Sequence, residues 1–197
     1  MPTRPSPLPP ATGDALLIVD VQNDFLPAGQ LPVPAGDRVL APLAGWIDRF
    51  ANAGLPIFAT RDWHPPDHCS FTSQGGRWPP HCIAGTAGAA FPEQLPLPAR
   101  AQVIDKATRP GVEAYSGFAG TDLDRQLRAA GVCRLVVGGL ATDYCVLNTV
   151  LNARRLGYTV LLLPAAMRAV DVHPGDGDRA LGTMIAAGAV LLDDDRR

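Results

Sequence analysis

The chain has 197 residues, of which 47% are hydrophobic and 18% charged, which predicts one ordinary globular domain with a sizeable core. Its formal net charge of -2 gives no electrostatic reason to expect nucleic acid or an anionic membrane as a partner. No apolar run approaches the roughly 20 residues needed to cross a bilayer, so we expect no membrane association.

The first 13 residues, MPTRPSPLPPATG, are dense in proline and lack the apolar core of a signal peptide. We therefore predict a disordered tail over 1–13 and a single cytoplasmic domain over 14–197. The chain has four cysteines. A domain of this size without a secretion signal is expected to keep them reduced, for metal binding or catalysis.

Predicted strands alternate with predicted helices along the chain. In order, we predict strand 15–20, helix 37–53, strand 55–60, a long loop, strand 101–105, helix 121–130, strand 134–139, helix 143–156, strand 158–163, helix 178–187 and a short strand 189–192. This alternation predicts an α/β fold in which a mostly parallel sheet is flanked by helices on both faces. In that architecture, ligands bind beyond the carboxyl ends of the strands.

Cys145 is the most informative single residue, because it lies where the strand 134–139 gives way to a helical pattern, in the segment GGLATDYC. Asp143 is well placed to begin that helix, and a thiol in the first turn feels the positive end of the helix dipole, which favours thiolate. A lone cysteine is also readily a buried structural thiol. The prediction of a nucleophile therefore depends on its partners.

Four reactive side chains follow or end four predicted strands: Asp20, Asp62, Lys106 and Cys145. An aspartate, a lysine and a cysteine buried side by side form a workable nucleophile set. The carboxylate can accept the thiol proton and the ammonium can stabilise the thiolate. Such a set needs no histidine as the base.

The long loop holds a second cluster, in which Asp62 precedes His64, His68 and His81. Carboxylate and imidazole ligands suit zinc, iron or manganese and leave open positions for water or substrate. A competing interpretation is a structural zinc site that uses Cys69 and Cys82 with two histidines. The remaining histidine, His173, lies in a Pro/Gly/Asp-rich stretch and is expected at the surface.

The sequence around these residues resembles that of the nicotinamidases, also called pyrazinamidases, which belong to the isochorismatase-like cysteine hydrolases. The resemblance runs from about residue 15 to 192. The motifs that carry it are VDVQNDF at 19–25, DWH at 62–64, DH at 67–68, WPPHC at 78–82, DKA at 105–107, AYSGF at 114–118 and GLATDYCV at 139–146. It implies a Rossmann-like three-layer α/β/α domain and an amidohydrolase that acts on linear amides.

The resemblance also implies roles for individual residues. It implies a catalytic triad of Asp20, Lys106 and Cys145, an oxyanion hole from the backbone N–H groups of Ala141 and Cys145 next to a cis peptide at Leu140–Ala141, and Phe25, Trp78 and Tyr115 in the substrate pocket. It implies one divalent metal ion, of uncertain identity, held by Asp62, His64, His68 and His81 as an anchor for the pyridine nitrogen. The expected substrates are nicotinamide and pyrazinamide, and the enzyme is expected to serve NAD salvage. Assembly into a homo-oligomer is compatible with the resemblance.

Two other functions remain open at this point. One is another amidase of the superfamily, acting on a carbamoyl or ureido amide with the same triad and a different pocket. The other is a catalytically idle metal-binding module. The chain departs from the family pattern at residues 164–167 (PAAM), where relatives often have an acidic residue, which leaves the local pocket rim undetermined.

Overall fold

A six-stranded, fully parallel sheet forms the centre of the molecule in the computed structural model, which describes residues 10–192. The strands are β1 (Asp14–Val19), β2 (Ile57–Asp62), β3 (Gln102–Lys106), β4 (Arg134–Leu140), β5 (Thr159–Arg168) and β6 (Val190–Leu191). Their spatial order is β3-β2-β1-β4-β5-β6. The predicted tail over 1–13 falls mostly outside the described residues.

Helices cover both faces of the sheet, as predicted. They are α1 (Leu40–Asn52), α2 (Leu123–Ala129), α3 (Leu147–Arg155) and α4 (Asp176–Ala186). Because side chains alternate along a strand, Leu16 and Ile18 of β1 pack with the buried face of α1, whereas Leu17 and Val19 pack with the other three helices. The two apolar cores on opposite faces of one sheet make the three-layer α/β/α arrangement.

The nucleophile turn differs from the single helix predicted over 143–156. Residues Thr142–Val146 form a π-helical turn, and α3 begins only at Leu147. Asp143 does not cap this turn, since no side-chain capping bond is made at its start. Single π-turns are frequent at functional sites.

The strand predicted over 158–163 is longer than expected, because β5 continues to Arg168 through the segment PAAM. Its pairing with β4 shifts register: Val137 pairs with Leu162, but Gly139 pairs with Met167. The extra residues on β5 form a bulge, which accommodates Pro164 without a ladder hydrogen bond. Residues 164–167 thus lie within the strand and not in a loop at the pocket rim.

The glycines of β4 lie inside the strand instead of ending it as predicted. Gly139 has a φ of +133°, and a Cβ atom there would collide with the backbone of Val19. Glycine at this position therefore permits the close approach of β4 to β1.

The strand order reverses between β1 and β4, which is where open parallel sheets bind ligands. From β1 the chain proceeds towards β2 and β3, and from β4 towards β5 and β6. Asp20 directly follows β1, and Cys145 lies just beyond β4. Among the described residues, no helix is long and apolar enough to cross a membrane.

Candidate active site

The buried ammonium group of Lys106, at the end of β3, lies at the centre of the polar cluster. Its Nζ atom donates to Oδ1 of Asp62 at 2.5 Å, to the carbonyl oxygen of Ala114 at 3.1 Å and to Sγ of Cys145 at 3.6 Å. The predicted trio of Asp20, Lys106 and Cys145 is completed by an ion pair of 2.9 Å between Nζ and Oδ2 of Asp20.

Asp20 offers Cys145 a free acceptor atom. Its Oδ1 atom accepts a hydrogen bond from the Thr60 hydroxyl at 2.6 Å, whereas its Oδ2 atom is the only buried side-chain nitrogen or oxygen within residues 10–192 without a hydrogen-bond partner. Nζ of Lys106 lies 2.9 Å from Oδ2, but at an angle that suits an ion pair better than a hydrogen bond. Burial raises the pKa of Asp20, against the opposing effect of Lys106, so this carboxylate is a good proton acceptor.

The resting state of Cys145 differs from the thiolate that a helix dipole was expected to favour. Burial raises the pKa of the thiol well above its usual value, and the positive charge of Lys106 only partly opposes this. The ordinary form is therefore the neutral thiol. Attack by sulfur then requires a base, and Asp20 is close enough to be that base, since ligand atoms of the two residues lie within 4.8 Å of each other.

The peptide bond between Leu140 and Ala141 is cis, as the resemblance implied. It lies directly between the end of β4 and the π-turn. Ala141 and Cys145, the two residues expected to form the oxyanion hole, both line the same pocket.

Three of the four predicted metal ligands come together beside this cluster. Ligand atoms of Asp62, His64 and His81 lie within 4.8 Å of one another, and all three side chains are buried. Nδ1 of His64 is 3.3 Å from the Ala107 carbonyl, and Nδ1 of His81 is 2.8 Å from the Pro79 carbonyl. If these Nδ1 atoms carry the protons, the Nε2 lone pairs of both rings are free for a cation.

The charge state of the triplet also suits a divalent cation. Burial lowers the pKa of His64 to about 4, although Asp62 opposes this shift, so the ring is neutral at pH 7. Burial alone would raise the pKa of Asp62, but Lys106 and then His64 outweigh it and lower that pKa. An ionised carboxylate and a neutral imidazole are the forms that bind metals.

His68, the fourth predicted ligand, is not part of this triplet. Its ring stacks on that of His64 with centroids 4.1 Å apart, but both of its nitrogens have other partners. Nδ1 lies 2.7 Å from the Ser70 hydroxyl, and Nε2 lies 3.1 Å from the Val112 carbonyl. A neutral ring that accepts from the first and donates to the second has no lone pair left for a metal.

The alternative zinc site with Cys69 and Cys82 gains no support from the geometry. Within the part of the chain that the structure describes, the candidate metal clusters contain neither cysteine. All four cysteines are free thiols. His173 is exposed, as expected.

One pocket joins the two clusters. It contains about 530 Å³ of empty space, the open solvent at its mouth included, and its lining includes Cys145, Asp62, His64 and His81. The three predicted substrate-binding residues also line it: Phe25, Trp78 and Tyr115. Trp78 donates from Nε1 to the Tyr115 hydroxyl at 3.1 Å, which ties two loops together over the pocket.

Several residues that shape the site were not assigned roles from the sequence. Gln22 donates to the carbonyl of Asp62 at 2.8 Å and accepts from its N–H at 2.8 Å, which fixes the end of β2. Asp24 accepts from the N–H of Cys82 at 2.7 Å, next to His81. Gln22 and Asp24 lie in the motif VDVQNDF, and the run of polar residues directly after the apolar β1 was the available signal.

Tyr144 and Val170 line the pocket as well. The ring of Tyr144 lies edge-on to Trp78, with centroids 5.2 Å apart. Adjacency to Cys145 was the only clue to Tyr144. No sequence signal pointed to Val170, which reaches the pocket because β5 is longer than predicted.

Known proteins are similar to this chain in sequence and in architecture. Residues 14–196 match the isochorismatase domain family. The chain is 40% identical to the nicotinamidase of Escherichia coli over 198 aligned residues, which cover 90% of this chain and 93% of that protein.

Solved structures agree with this relationship. A crystal structure of the pyrazinamidase of Pyrococcus horikoshii in complex with zinc superposes with a TM-score of 0.89 at 46% identity, covering 92% of this chain and 99% of that one. PnC1 from L. infantum in complex with nicotinate gives a TM-score of 0.84 at 36% identity, covering 92% and 93%. The chain belongs to the isochorismatase family.

Proposed function

We propose that this protein is a nicotinamidase, an amidohydrolase that converts nicotinamide, and pyrazinamide, to the corresponding acid and ammonia. The observation that carries the proposal is that one pocket is lined both by Cys145 and by the triplet of Asp62, His64 and His81. A nucleophile and a cation site on one small pocket suit a substrate with an amide and a ring nitrogen on the same flat ring. The nicotinamidase of E. coli and the zinc-bound pyrazinamidase of P. horikoshii support the same activity.

The first half of the reaction forms a thioester. The Cys145 thiol gives its proton to Oδ2 of Asp20 while sulfur attacks the carboxamide carbon, and Lys106 stabilises the negative charge on sulfur. The carbonyl oxygen becomes an oxyanion, which accepts hydrogen bonds from the backbone N–H groups of Ala141 and Cys145. Asp20 then donates its proton to the amide nitrogen, the carbon–nitrogen bond breaks, and ammonia leaves.

The second half releases the acid. Asp20, again ionised, removes a proton from water, and the hydroxide attacks the thioester carbon. The same two N–H groups hold the oxyanion until the carbon–sulfur bond breaks. The proton on Asp20 returns to sulfur and restores the thiol, so a single carboxylate acts alternately as base and acid.

The flat ring is held by the aromatic residues and the metal site. Phe25 and Trp78 present apolar ring surfaces to the pocket, and Tyr115 contributes part of its wall. Asp62, His64 and His81 would hold one divalent ion, zinc, iron or manganese, which supplies a Lewis acid for the ring nitrogen when bound. The ring of His68 stacks on that of His64 and so helps to fix the orientation of the His64 ring.

Ammonia release from nicotinamide by the purified protein tests the proposal, with metal content measured on the same sample. Release of ammonia together with nicotinic acid in equal amounts is the expected result. Bound metal without turnover of nicotinamide would contradict the proposal. The triad would then serve another amide, and carbamoyl and ureido compounds would be the next substrates to assay.

A further inference from the structure

The carboxylate of Asp143 connects the nucleophile turn to a separate segment of the chain. Its Oδ1 atom accepts a hydrogen bond from the N–H of Val170, and its Oδ2 atom accepts one from the N–H of Asp171, each at 2.9 Å. Both oxygens therefore bind adjacent backbone amides 27 and 28 residues further along the chain. Hydrogen bonds to an ionised carboxylate are stronger than those between neutral groups.

The segment held in this way forms part of the pocket wall. Val170 lies two residues beyond the end of β5 and lines the pocket that also contains Cys145. The next residue, Asp171, has a φ of +52°, which is uncommon for a residue other than glycine. The chain thus turns sharply just after it has presented Val170 to the pocket.

The far side of the turn has its own attachment. Oδ1 of Asp171 accepts a hydrogen bond from the N–H of Gly177, in the first turn of α4, at 2.8 Å. Asp143 holds the pocket side of the segment, and Asp171 holds the helix side. Of these two attachments, only that of Asp143 acts directly on the N–H of Val170.

We propose that Asp143 is a positioning residue that sets substrate specificity by holding Val170 against the pocket, so that the site accepts an unsubstituted six-membered ring and rejects one with an added methyl group. This inference rests on the proposed function, because it concerns the ring of the amide substrate. Asp143 takes no part in proton transfer. It acts through the backbone of Val170.

The test uses Asp143→Asn and Val170→Ala, separately and combined. An asparagine has one acceptor oxygen, and its NH2 group would face the second backbone N–H, so one of the two bonds is lost. Val170→Ala shortens the wall directly. Asp122→Asn is the matched control, since the Asp122 carboxylate accepts hydrogen bonds from the side chains of Arg125 and Gln126, near the start of α2 and away from the pocket lining.

The substrates are nicotinamide and its four ring-methylated derivatives. Asp143→Asn should raise KM for nicotinamide about 3- to 10-fold, with kcat changed much less. The specificity ratio is kcat/KM for a methylated derivative divided by kcat/KM for nicotinamide. Asp143→Asn and Val170→Ala should each raise this ratio about 10-fold over the wild type, and for the same methyl position, since one methyl group in an apolar pocket usually has an effect of this size. The double variant should show no further gain, and Asp122→Asn should behave as the wild type.

Broader specificity in Val170→Ala but not in Asp143→Asn would overturn the role of Asp143, and unchanged specificity in both would overturn the role of the wall. An equal loss of kcat for all substrates in Asp143→Asn would show damage to the nucleophile turn instead. If Asp143→Asn does not fold, Asp143→Glu is used in its place. The longer side chain keeps the negative charge but moves the carboxylate away from the two N–H groups, so the expected result is the same.

The failure of this inference can be told apart from the failure of the proposed function. If the wild type releases no ammonia from nicotinamide, the wall is tested without a substrate, by alkylation of Cys145 with iodoacetamide and with its bulkier N-phenyl derivative. Peptide mass spectrometry separates Cys145 from the other cysteines. Both variants should raise the rate for the bulky reagent relative to the small one, and an unchanged ratio would overturn the inference on its own.

Discussion

The carboxylate of Asp20 and the ammonium of Lys106 form an ion pair of 2.9 Å in which neither side chain is exposed to solvent. A second carboxylate, that of Asp62, lies 2.5 Å from the same ammonium. One positive charge therefore compensates two buried negative charges, and Asp20 and Asp62 outweigh the burial that would otherwise lower the pKa of Lys106.

Lys106→Met should therefore destabilise the fold strongly. It leaves two buried carboxylates without a cation, and breaking a buried pair typically costs about 3–5 kcal/mol. Urea unfolding at pH 7 measures the loss. Arg128→Met, which removes an exposed partner of Asp124 on α2, should leave the free energy of unfolding nearly unchanged.

The loss in Lys106→Met should also depend on pH. Without the ammonium, burial raises the pKa of the carboxylates in the folded state, so folding is favoured when they are protonated. The deficit relative to the wild type should be largest near neutral pH and should shrink as the pH falls towards about 4, the unfolded value. A deficit that stays constant between pH 7 and pH 4 would mean that Lys106 contributes packing and not charge.

Asp20→Asn should nearly abolish turnover while the protein stays folded. The amide cannot accept the thiol proton, and general base catalysis of this kind contributes about 100- to 10,000-fold. Steady-state ammonia release measures the loss, and circular dichroism checks the fold. Thr60→Ser keeps a hydroxyl beside Oδ1 of Asp20 and should retain most of the activity; activity of Asp20→Asn within tenfold of the wild type would exclude Asp20 as the base.

Cys145→Ala should remove all turnover and leave the metal content unchanged, because sulfur is outside the triplet of Asp62, His64 and His81. The measurements are ammonia release and elemental analysis of the same dialysed sample. Cys133→Ala is the matched control, since Cys133 is an exposed free thiol outside the pocket. Substantial activity in Cys145→Ala would refute the nucleophile.

His64→Ala and His68→Ala should differ in metal binding although the two rings are stacked. His64→Ala removes a ligand with a free Nε2 atom, and we expect it to lose the ion and to bind nicotinamide more weakly without unfolding. His68→Ala removes a ring whose nitrogens are already hydrogen-bonded, so its effect on metal affinity should not exceed that of an outer partner, about 10- to 100-fold.

Metal stoichiometry after dialysis, with a titration of the apo-protein, distinguishes these two variants. Complete loss of metal in both would restore His68 as a fourth ligand through rearrangement of its loop. An unfolded His64→Ala protein would instead support a structural role for the metal.

The residues of the candidate triad could be predicted because each lies at or just beyond the end of a strand. Parallel strands bring their carboxyl ends to one edge of the sheet, so Asp20, Lys106 and Cys145 were expected along one edge once the strands were recognised. The strand order, with β2 between β1 and β3, was decided by the tertiary structure. The apolar runs that form β1 and β4 are short and clear in the sequence. Even there, the thiol was expected as a thiolate, because the sequence does not report burial.

The loops were less predictable because their partners lie far away in the chain. Gln22 contacts Asp62, 40 residues away, and His68 contacts Val112, 44 residues away. The motif DWH and the histidines that follow it indicated the types of ligand, a carboxylate and imidazoles, that suit a divalent metal. It could not indicate that one imidazole would be hydrogen-bonded on both sides.

By itself, the sequence determined the α/β alternation, the family and the residue types of the site, because hydrophobic periodicity and local motifs are properties of neighbouring residues. Only the tertiary structure decided the π-turn that holds Cys145, the extension of β5 that presents Val170, and the use of Asp143 as a link between them. These features arise from hydrogen bonds and packing between segments that are distant in the chain. The energy of such contacts depends on where the whole fold places both partners, and no local pattern records that.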